Sequence, residues 1–130
     1  EKAIEHAGIT KESVDYINTH GTSTGMGDPI ETNAIAELFS EHAGEMAVTS
    51  TKGATGHMMG AGGITEAITC IQCIRTGVVP PTLNLDELDE KCASLNYVPH
   101  KAIEKEVRVA MSNSFGFGGQ NSSVIFCRYE

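Results

Sequence analysis

Three side chains in this sequence carry polar groups from which an active site could be built. His20 follows the apolar run "VDYIN", and Lys52 and His57 lie five residues apart in the glycine-rich stretch "STKGATGHMMGAGG". Phe115 and Phe117 lie in "NSFGFGGQNS", where the neighbouring glycines would allow an aromatic ring to act as a gate, and where such a ring could equally fill the core. Two neutral imidazoles aimed at one point can donate N–H bonds to a developing oxyanion, and an ammonium nearby adjusts the local charge. These residue types therefore indicate the stabilisation of negative charge on a substrate.

Short polar residues and glycines surround His20. Their hydroxyls could bind a polar ligand, while the glycines keep side chains out of its way. An ordinary turn, with Asp28 as the N-cap of a helix that begins with Pro29, explains the same residues without a ligand. In the second stretch, Glu66 is placed to neutralise Lys52. The hydroxyl residues near His20 are Thr22, Ser23 and Thr24, and the glycines are Gly21, Gly25 and Gly27.

Strands and helices alternate around these loops. "VDYIN" predicts a strand before a helix from Pro29 to about Ala43, and "MAVTST" predicts a strand before a helix from about Ile64 to Arg75. "LNYV" is expected as a short edge strand, and "EVRVAMSNS" and "SSVIFCRY" as two closing strands, with "FGFGG" too glycine-rich for regular structure. The order predicts an α/β fold, a mixed five-stranded sheet covered by helices, in one domain over residues 1–130. If its strands are neighbours, the polar loops meet at their carboxyl ends.

Composition narrows the class of function. The 130 residues include 9 Lys and Arg against 17 Asp and Glu, a net charge of -8, which argues against nucleic acid or an anionic membrane as the main partner. The chain shows neither a signal peptide nor an apolar run long enough to cross a bilayer, so a soluble, cytoplasmic protein is expected. It opens directly in a helical pattern without an N-cap, which suggests a piece of a longer chain.

The cysteines are expected to be reduced, because three of the four lie in apolar segments where a thiol packs as a small hydrophobe. Cys70 and Cys73 have the spacing of a zinc or redox motif, and with His20 and His57 they could form a zinc-binding module. Helix packing explains the pair better, since no turn flanks it. The other two cysteines are Cys92 and Cys127.

A nucleotide-binding oxidoreductase is a second alternative. "TGHMMGAG" satisfies the T-G-x-x-x-G-x-G pattern of short-chain dehydrogenases, and Tyr97 and Lys101 reproduce their Y-x-x-x-K spacing. Pro99 lies between these two residues and would disrupt the helix that must present both on one face. By itself the loop could also hold a phosphate, because glycine-rich turns before helices bind anions through backbone amides.

Five blocks of the sequence together resemble the C-terminal half of β-ketoacyl-acyl carrier protein synthases, the type II condensing enzymes of fatty acid synthesis. They are "NTHGTSTGMGDPIE", "STKGATGHMMGAGG", "PPTLNLD", "LNYVP" and "NSFGFGGQNS", and they extend through nearly the whole chain. The resemblance implies a thiolase-like fold of two related halves, of which residues 1–130 are the second, in a homodimer. It implies a decarboxylative Claisen condensation, in which an acyl thioester on a cysteine is elongated by malonyl-acyl carrier protein, with no required cofactor. The ketosynthase of a polyketide synthase would share the same loops.

The resemblance also assigns roles to residues. His20 and His57 match the two family histidines at the malonyl thioester, and Lys52 matches the essential lysine with Glu66 as its partner. Phe117 matches the gating phenylalanine, whose backbone N–H helps to form the oxyanion hole. The threonines that bind the phosphopantetheine arm correspond to Thr22 and Thr24, and the positions around a structural monovalent cation in some members correspond to Asn18, Glu66, Ser112 and Asn113.

One departure from the family decides what this chain can do alone. The family nucleophile belongs to the N-terminal half, and none of the four cysteines here occupies its motif, so these residues alone are expected to be inactive. A smaller departure is Gln120, which stands where threonine is common in the family.

Acyl carrier proteins are acidic like this chain, so the docking surface is expected mainly on the other half. Basic residues that could contribute to it are Lys101, Lys105 and Arg108.

Overall fold

The computed structural model describes residues 1–129, which form short helices and strands in alternating order. The α-helices are α1 (Lys2–Ala7), α2 (Gly27–Phe39), α3 (Lys52–Thr55) and α4 (Gly62–Thr76). The strands are β1 (Tyr16–Asn18), β2 (Ala47–Thr49), β3 (Val78–Val79), β4 (Ile103–Glu104), β5 (Val109–Gly116) and β6 (Gln120–Cys127). Single 3₁₀ turns cover Lys11–Ser13, Ser40–Gly44 and Met59–Ala61.

The main sheet has four strands in the order β2-β1-β5-β6. Strand β1 pairs in parallel with β2 and with β5, so that Ile17 lies between Val48 and Met111. Strand β6 pairs antiparallel with β5 and completes a mixed sheet. All three residues of β1 are buried, as expected for a central parallel strand covered on both faces.

The predicted mixed α/β sheet is confirmed, but its strand count is four and not five. The predicted edge strand "LNYV" makes only a single parallel bridge, from Asn96 to Ala47. Val98 has a φ of 49°, which ends the extended conformation, and Pro99 after it has no N–H to donate. A separate two-stranded sheet, β3 with β4, was not expected from the sequence.

The two main helices cover opposite faces of the sheet. On one face Ile35 and Phe39 of α2 pack against Ile17, and on the other Cys70 and Cys73 of α4 pack in the cluster that includes Tyr16. The alternation of Tyr16 and Ile17 between faces follows from the strand geometry. The prediction that the cysteine pair is helix packing is therefore confirmed.

The predicted helix ends differ in detail from those observed. Helix α2 stops at Phe39 instead of Ala43, because Ser40 takes a φ of 53° and a 3₁₀ turn follows. Helix α4 begins at Gly62, two residues earlier than predicted, and ends at Thr76, one residue later than predicted, where Gly77 caps it with a left-handed φ of 67°. The segment "FGFGG" was predicted to lack regular structure, but only residues 117–119 form a turn, since β5 extends to Gly116 and β6 starts at Gln120. Within residues 1–129, none of the helices is both long and apolar enough to span a membrane.

Candidate active site

Three segments converge at the carboxyl edge of the sheet, where the sequence predicted three loops. The loop after β1 carries His20, the segment after β2 carries Lys52 at the start of α3 and His57 after it, and the end of β5 carries Phe115. The imidazole centroids of His20 and His57 are 5.6 Å apart, with the rings nearly perpendicular at 85°. The rings border an open cleft of about 320 Å³. The other residues along it include Gly60, Gly63, Glu66, Ser114 and Ser122.

The hydrogen-bond partner of His57 determines which ring nitrogen carries its proton. The backbone N–H of Met59 donates to Nδ1 of His57 at 3.1 Å. An accepting Nδ1 has no proton in the neutral ring, so the proton is on Nε2. The side chain of His57 is exposed in the cleft, and Nε2–H is therefore placed as a donor to a bound oxygen atom.

His20 is held as a neutral imidazole. Burial lowers the pKa of His20 below its ordinary value of 6.5, and the positive charge of Lys52 lowers it further. The neighbouring Phe115 ring, whose centroid is 5.5 Å from that of His20, contributes apolar surface beside the imidazole. A neutral ring at pH 7 can donate one N–H bond to a developing negative charge.

Lys52 and Glu66 form a buried ion pair next to the histidines. Only 8% of the Lys52 side chain and 5% of the Glu66 side chain are exposed. Helix α4 directs Glu66 inward because that residue shares a face with Cys70 and Cys73, which pack in the core. Ser114 Oγ also donates to Glu66 Oε2 at 3.5 Å. The predicted neutralisation of Lys52 by Glu66 is thus present, and it supplies the counter-charge that a buried ammonium requires.

Gly21 allows the His20 loop to pass close to the loop after β2. Its φ is +40°, and a Cβ atom at this position would lie 2.6 Å from both the Cβ of Ser50 and the Oγ1 of Thr19. Ser50 Oγ donates a hydrogen bond to the Gly21 carbonyl oxygen at 2.8 Å. Glycine is therefore required here for both backbone conformation and space.

The predicted ligand-binding hydroxyls lie beside the cleft but not all in one place. Thr22 lines a neighbouring groove that also includes Lys52 and His57, whereas Thr24 lines a different cavity towards α2. Thr24 Oγ1 accepts the N–H of Gly27 at 3.0 Å. Asp28 is not the N-cap, because α2 already begins at Gly27, and its carboxylate accepts the N–H of Ser23 at 3.1 Å. Hydrogen bonds within the loop thus hold it as a turn, and the loop also forms one wall of the groove.

Phe117 is not brought to the histidines. It lies in the β5–β6 turn and is fully exposed, whereas Phe115 is the aromatic residue that contacts His20. The gating role of Phe117 stays a prediction. The residue pattern alone does not distinguish the two rings, because both lie among the same glycines, and only the family resemblance selected Phe117. The pairing of β5 with β6 continues through Phe115 and Gly116, which keeps Phe115 beside the sheet.

The four positions matched to a monovalent cation are all buried. Asn18 pairs with Ser112 across β1 and β5, and Asn18 Oδ1 has no hydrogen-bond partner among the described residues, as a ligand oxygen would. Two of the other three side chains have partners, because Glu66 pairs with Lys52 and Asn113 Oδ1 accepts from Ser123 at 2.8 Å. The cation assignment stays a prediction.

The structure does not assemble the site of either alternative, the dehydrogenase or the zinc-binding module. Residues 97–101 are not helical, with φ values of 49° at Val98 and 64° at His100, and Tyr97 donates its hydroxyl to the Ala93 carbonyl. Burial raises the pKa of Cys70 to about 12 and that of Cys73 to about 11, which leaves both as neutral core thiols. Over residues 1–129, no cluster of three or more His, Cys, Asp or Glu could hold a metal ion.

Comparison with known families identifies the fold. The model of the "Beta-ketoacyl synthase, C-terminal domain" family matches residues 1–86. The chain belongs to this family. A "3-oxoacyl-[acyl-carrier-protein] synthase 2" of Coxiella burnetii is 48% identical over 98% of the chain, and the chloroplastic synthase II of Arabidopsis thaliana is 45% identical over the whole chain. The chain spans 31% and 24% of the lengths of these two relatives.

Solved structures agree with this family. A β-ketoacyl synthase from Burkholderia phymatum has a TM-score of 0.92 at 40% identity, over 98% of this chain and 31% of its own. A type II polyketide ketosynthase, solved with its acyl carrier protein, has a TM-score of 0.94 at 31% identity, over 99% of this chain and 31% of its own. The predicted thiolase-like α/β fold of the condensing enzymes is therefore confirmed.

Proposed function

We propose that the full-length protein containing this chain is a 3-oxoacyl-[acyl-carrier-protein] synthase of fatty acid elongation. The observation that carries the proposal is the pair of imidazoles, His20 and His57, with ring centroids 5.6 Å apart beside the buried Lys52–Glu66 pair. An acyl thioester and malonyl-acyl carrier protein would be its substrates, and a 3-oxoacyl thioester and carbon dioxide its products.

The histidines would act when the malonyl group loses carbon dioxide. Cleavage of the carbon–carbon bond to the carboxylate leaves its electron pair on the thioester as an enolate, whose oxygen then carries negative charge. The Nε2–H of His57 and an N–H of the neutral His20 ring would donate to that oxygen. The enolate carbon then attacks the acyl thioester, and a new carbon–carbon bond replaces the carbon–sulfur bond.

The cysteine that holds the acyl group would lie outside these 130 residues. Cys70 and Cys73 are buried with raised pKa values, whereas a nucleophilic thiol needs a lowered one. Cys92 and Cys127 lie away from the histidine cleft, since neither lines it. We accordingly expect the described chain alone not to catalyse the condensation.

Several further features of the enzyme belong to the same proposal. Thr22 and Thr24 would bind the phosphopantetheine arm of the carrier protein, Phe117 would gate the site, and no other cofactor would be needed. The protein would be a cytoplasmic homodimer. Docking of the carrier protein would use mainly the rest of the full-length protein, since Lys105 donates to the Glu45 carbonyl and Arg108 pairs with Glu106 in this chain.

A polyketide ketosynthase is the second candidate, because several similar structures are polyketide enzymes. The fatty acid assignment is preferred because the synthase 2 relatives are 45–48% identical, compared with 31% and 28% for those two polyketide enzymes. A full-length protein that elongates linear saturated acyl thioesters would support the first assignment, and one that accepts only functionalised β-keto thioesters would support the second.

The test is carbon dioxide release from malonyl-acyl carrier protein by the full-length protein and its variants. His57→Ala removes one oxyanion donor and is expected to lower the rate by about 10² to 10³-fold. His57→Gln retains an N–H donor near the Nε2 position and should recover part of the loss. His6→Ala, an exposed histidine in α1, is the control and should leave the rate unchanged. An unaltered rate in His57→Ala would remove this residue from the mechanism.

A further inference from the structure

The five methionines of the chain differ in their exposure and in their contacts. Two of them are buried in the core, and the sulfur of Met58 accepts a hydrogen bond from Thr65 Oγ1 at 3.4 Å. Met26 and Met59 are 73% and 77% exposed. An exposed thioether is open to chemical modification, whereas a buried one is protected by the fold. The two core methionines are Met46 and Met111.

Met59 lines the cleft that His20 and His57 border, and Met26 does not. The backbone N–H of Met59 donates to Nδ1 of His57, the bond that leaves the proton of the ring on Nε2. Met59 has a φ of 51° and begins the 3₁₀ turn Met59–Ala61, which leads into α4. Its side chain is therefore attached to the peptide group that orients His57.

The thioether of Met59 can be oxidised to a sulfoxide by a peroxide. A sulfur lone pair attacks one oxygen of hydrogen peroxide, and the sulfur–oxygen bond forms as the oxygen–oxygen bond breaks. The hydroxide that leaves takes up a proton and becomes water, so sulfur is oxidised and the peroxide is reduced. The sulfoxide is polar, and methionine sulfoxide reductases convert it back to the thioether. Its oxygen accepts hydrogen bonds, and Nε2–H of His57 is a donor in the same cleft.

We propose that Met59 is a reversible oxidation site, at which a small peroxide forms a sulfoxide that inhibits the histidine cleft. The sulfoxide oxygen competes with a substrate oxygen for the Nε2–H of His57. A cleft that admits a thioester in the full-length protein also admits hydrogen peroxide, which is much smaller. The inhibition rests on the proposed function, whereas oxidation of the sulfur can be measured without it.

The test compares full-length wild type with Met59→Leu and Met26→Leu. Leucine has a similar volume but no sulfur, and Met26 is the matched exposed control. Each protein is treated with hydrogen peroxide and then with dithiothreitol, which reduces sulfenic acids and disulfides but not methionine sulfoxide. Carbon dioxide release is then compared with that of the same protein before treatment. Wild type and Met26→Leu should lose at least about tenfold in rate, and Met59→Leu much less. An equal fractional loss in Met59→Leu and wild type would overturn the proposal.

Enzymatic repair separates methionine oxidation from damage to the nucleophilic cysteine of the full-length protein. Methionine sulfoxide reductases for both sulfoxide epimers should restore the rate of peroxide-treated wild type. They should have little effect on treated Met59→Leu. A loss in wild type that the reductases do not restore comes from another group and would refute the proposal.

Peptide mass spectrometry distinguishes failure of this inference from failure of the proposed function. The gain of one oxygen atom is followed at each methionine of wild type, with fragmentation to separate Met59 from the adjacent Met58. Met59 should be oxidised at least about tenfold faster than the core residues Met46 and Met111, with Met26 as the exposed reference. If untreated wild type releases no carbon dioxide, the enzyme assignment fails, but the peptides still decide whether Met59 is an oxidation site. Oxidation of Met59 no faster than that of the core methionines would refute it.

Discussion

Replacement of Lys52 by methionine should be strongly destabilising. The change removes the ammonium from a pair whose side chains are only 8% and 5% exposed and leaves the Glu66 carboxylate buried. Ser114 Oγ, at 3.5 Å, is then its remaining hydrogen-bond partner. Breaking a buried pair on one side typically costs about 3–5 kcal/mol, because the remaining charge has lost its counter-ion.

A surface pair in the same chain provides the comparison. Arg108 and Glu106 lie 3.1 Å apart, with side chains 67% and 64% exposed. An exposed pair contributes about 0–1 kcal/mol, so Glu106→Gln should cost at most about 1 kcal/mol. The buried and exposed pairs thus differ several-fold in the expected loss, which is large enough to measure.

The assay is equilibrium unfolding of the full-length protein in urea. It compares the single variants Lys52→Met, Glu66→Gln and Glu106→Gln with the double variant Lys52→Met with Glu66→Gln. The double variant should lose less stability than Lys52→Met alone, since it leaves no unpaired buried charge. A loss below about 1 kcal/mol for Lys52→Met would refute the reasoning. The reasoning would also be refuted if the double variant lost as much stability as Lys52→Met and Glu66→Gln lose in sum.

Three further predictions follow from the site and the core. Gly21→Ala should destabilise the protein and slow carbon dioxide release, since its Cβ would lie 2.6 Å from Ser50, whereas Gly25→Ala meets nothing within 4 Å and should be tolerated in both assays. Cys70 and Cys73, with pKa values of about 12 and 11, should react with a thiol reagent at least about 10²-fold more slowly in native than in urea-unfolded protein, and equal rates would place them outside the core. Folding lowers the pKa of His20 from 6.5, so the unfolded state binds more protons and stability should fall as pH drops below 6.5. The pH dependence of the urea midpoint should be weaker in His20→Gln, and an unchanged dependence would show that His20 is not the titrating group.

Local residue types were sufficient to predict which side chains lie together at the candidate site. His20, Lys52 and His57 follow strands that the sequence also predicts, and loops at the carboxyl ends of parallel neighbours must meet. The Lys52–Glu66 pair could be predicted for a similar reason. The helix period places Glu66 on the face of α4 that carries Cys70, and a buried acid needs a cation.

The positions of other residues depend on contacts between distant parts of the chain. Glu31 is on the core face of α2, but its partners His20 and Asn113 lie 11 and 82 residues away, and nothing in local spacing predicts both. Phe115 and Phe117 have nearly identical surroundings in sequence, and the extent of pairing between β5 and β6 decides which ring contacts His20.

The sequence by itself determined the strands of the main sheet with the two long helices between them, the chemical groups at the sheet edge and the family to which the chain is similar, because each depends on residue types at short, regular spacing. Only the tertiary structure decided that the sheet has four strands, that Glu31 binds the His20 loop and that Asn18 Oδ1 has no hydrogen-bond partner among the described residues. Hydrogen bonding and burial are pairwise properties of groups far apart in the chain, so they exist only once the fold has brought those groups together.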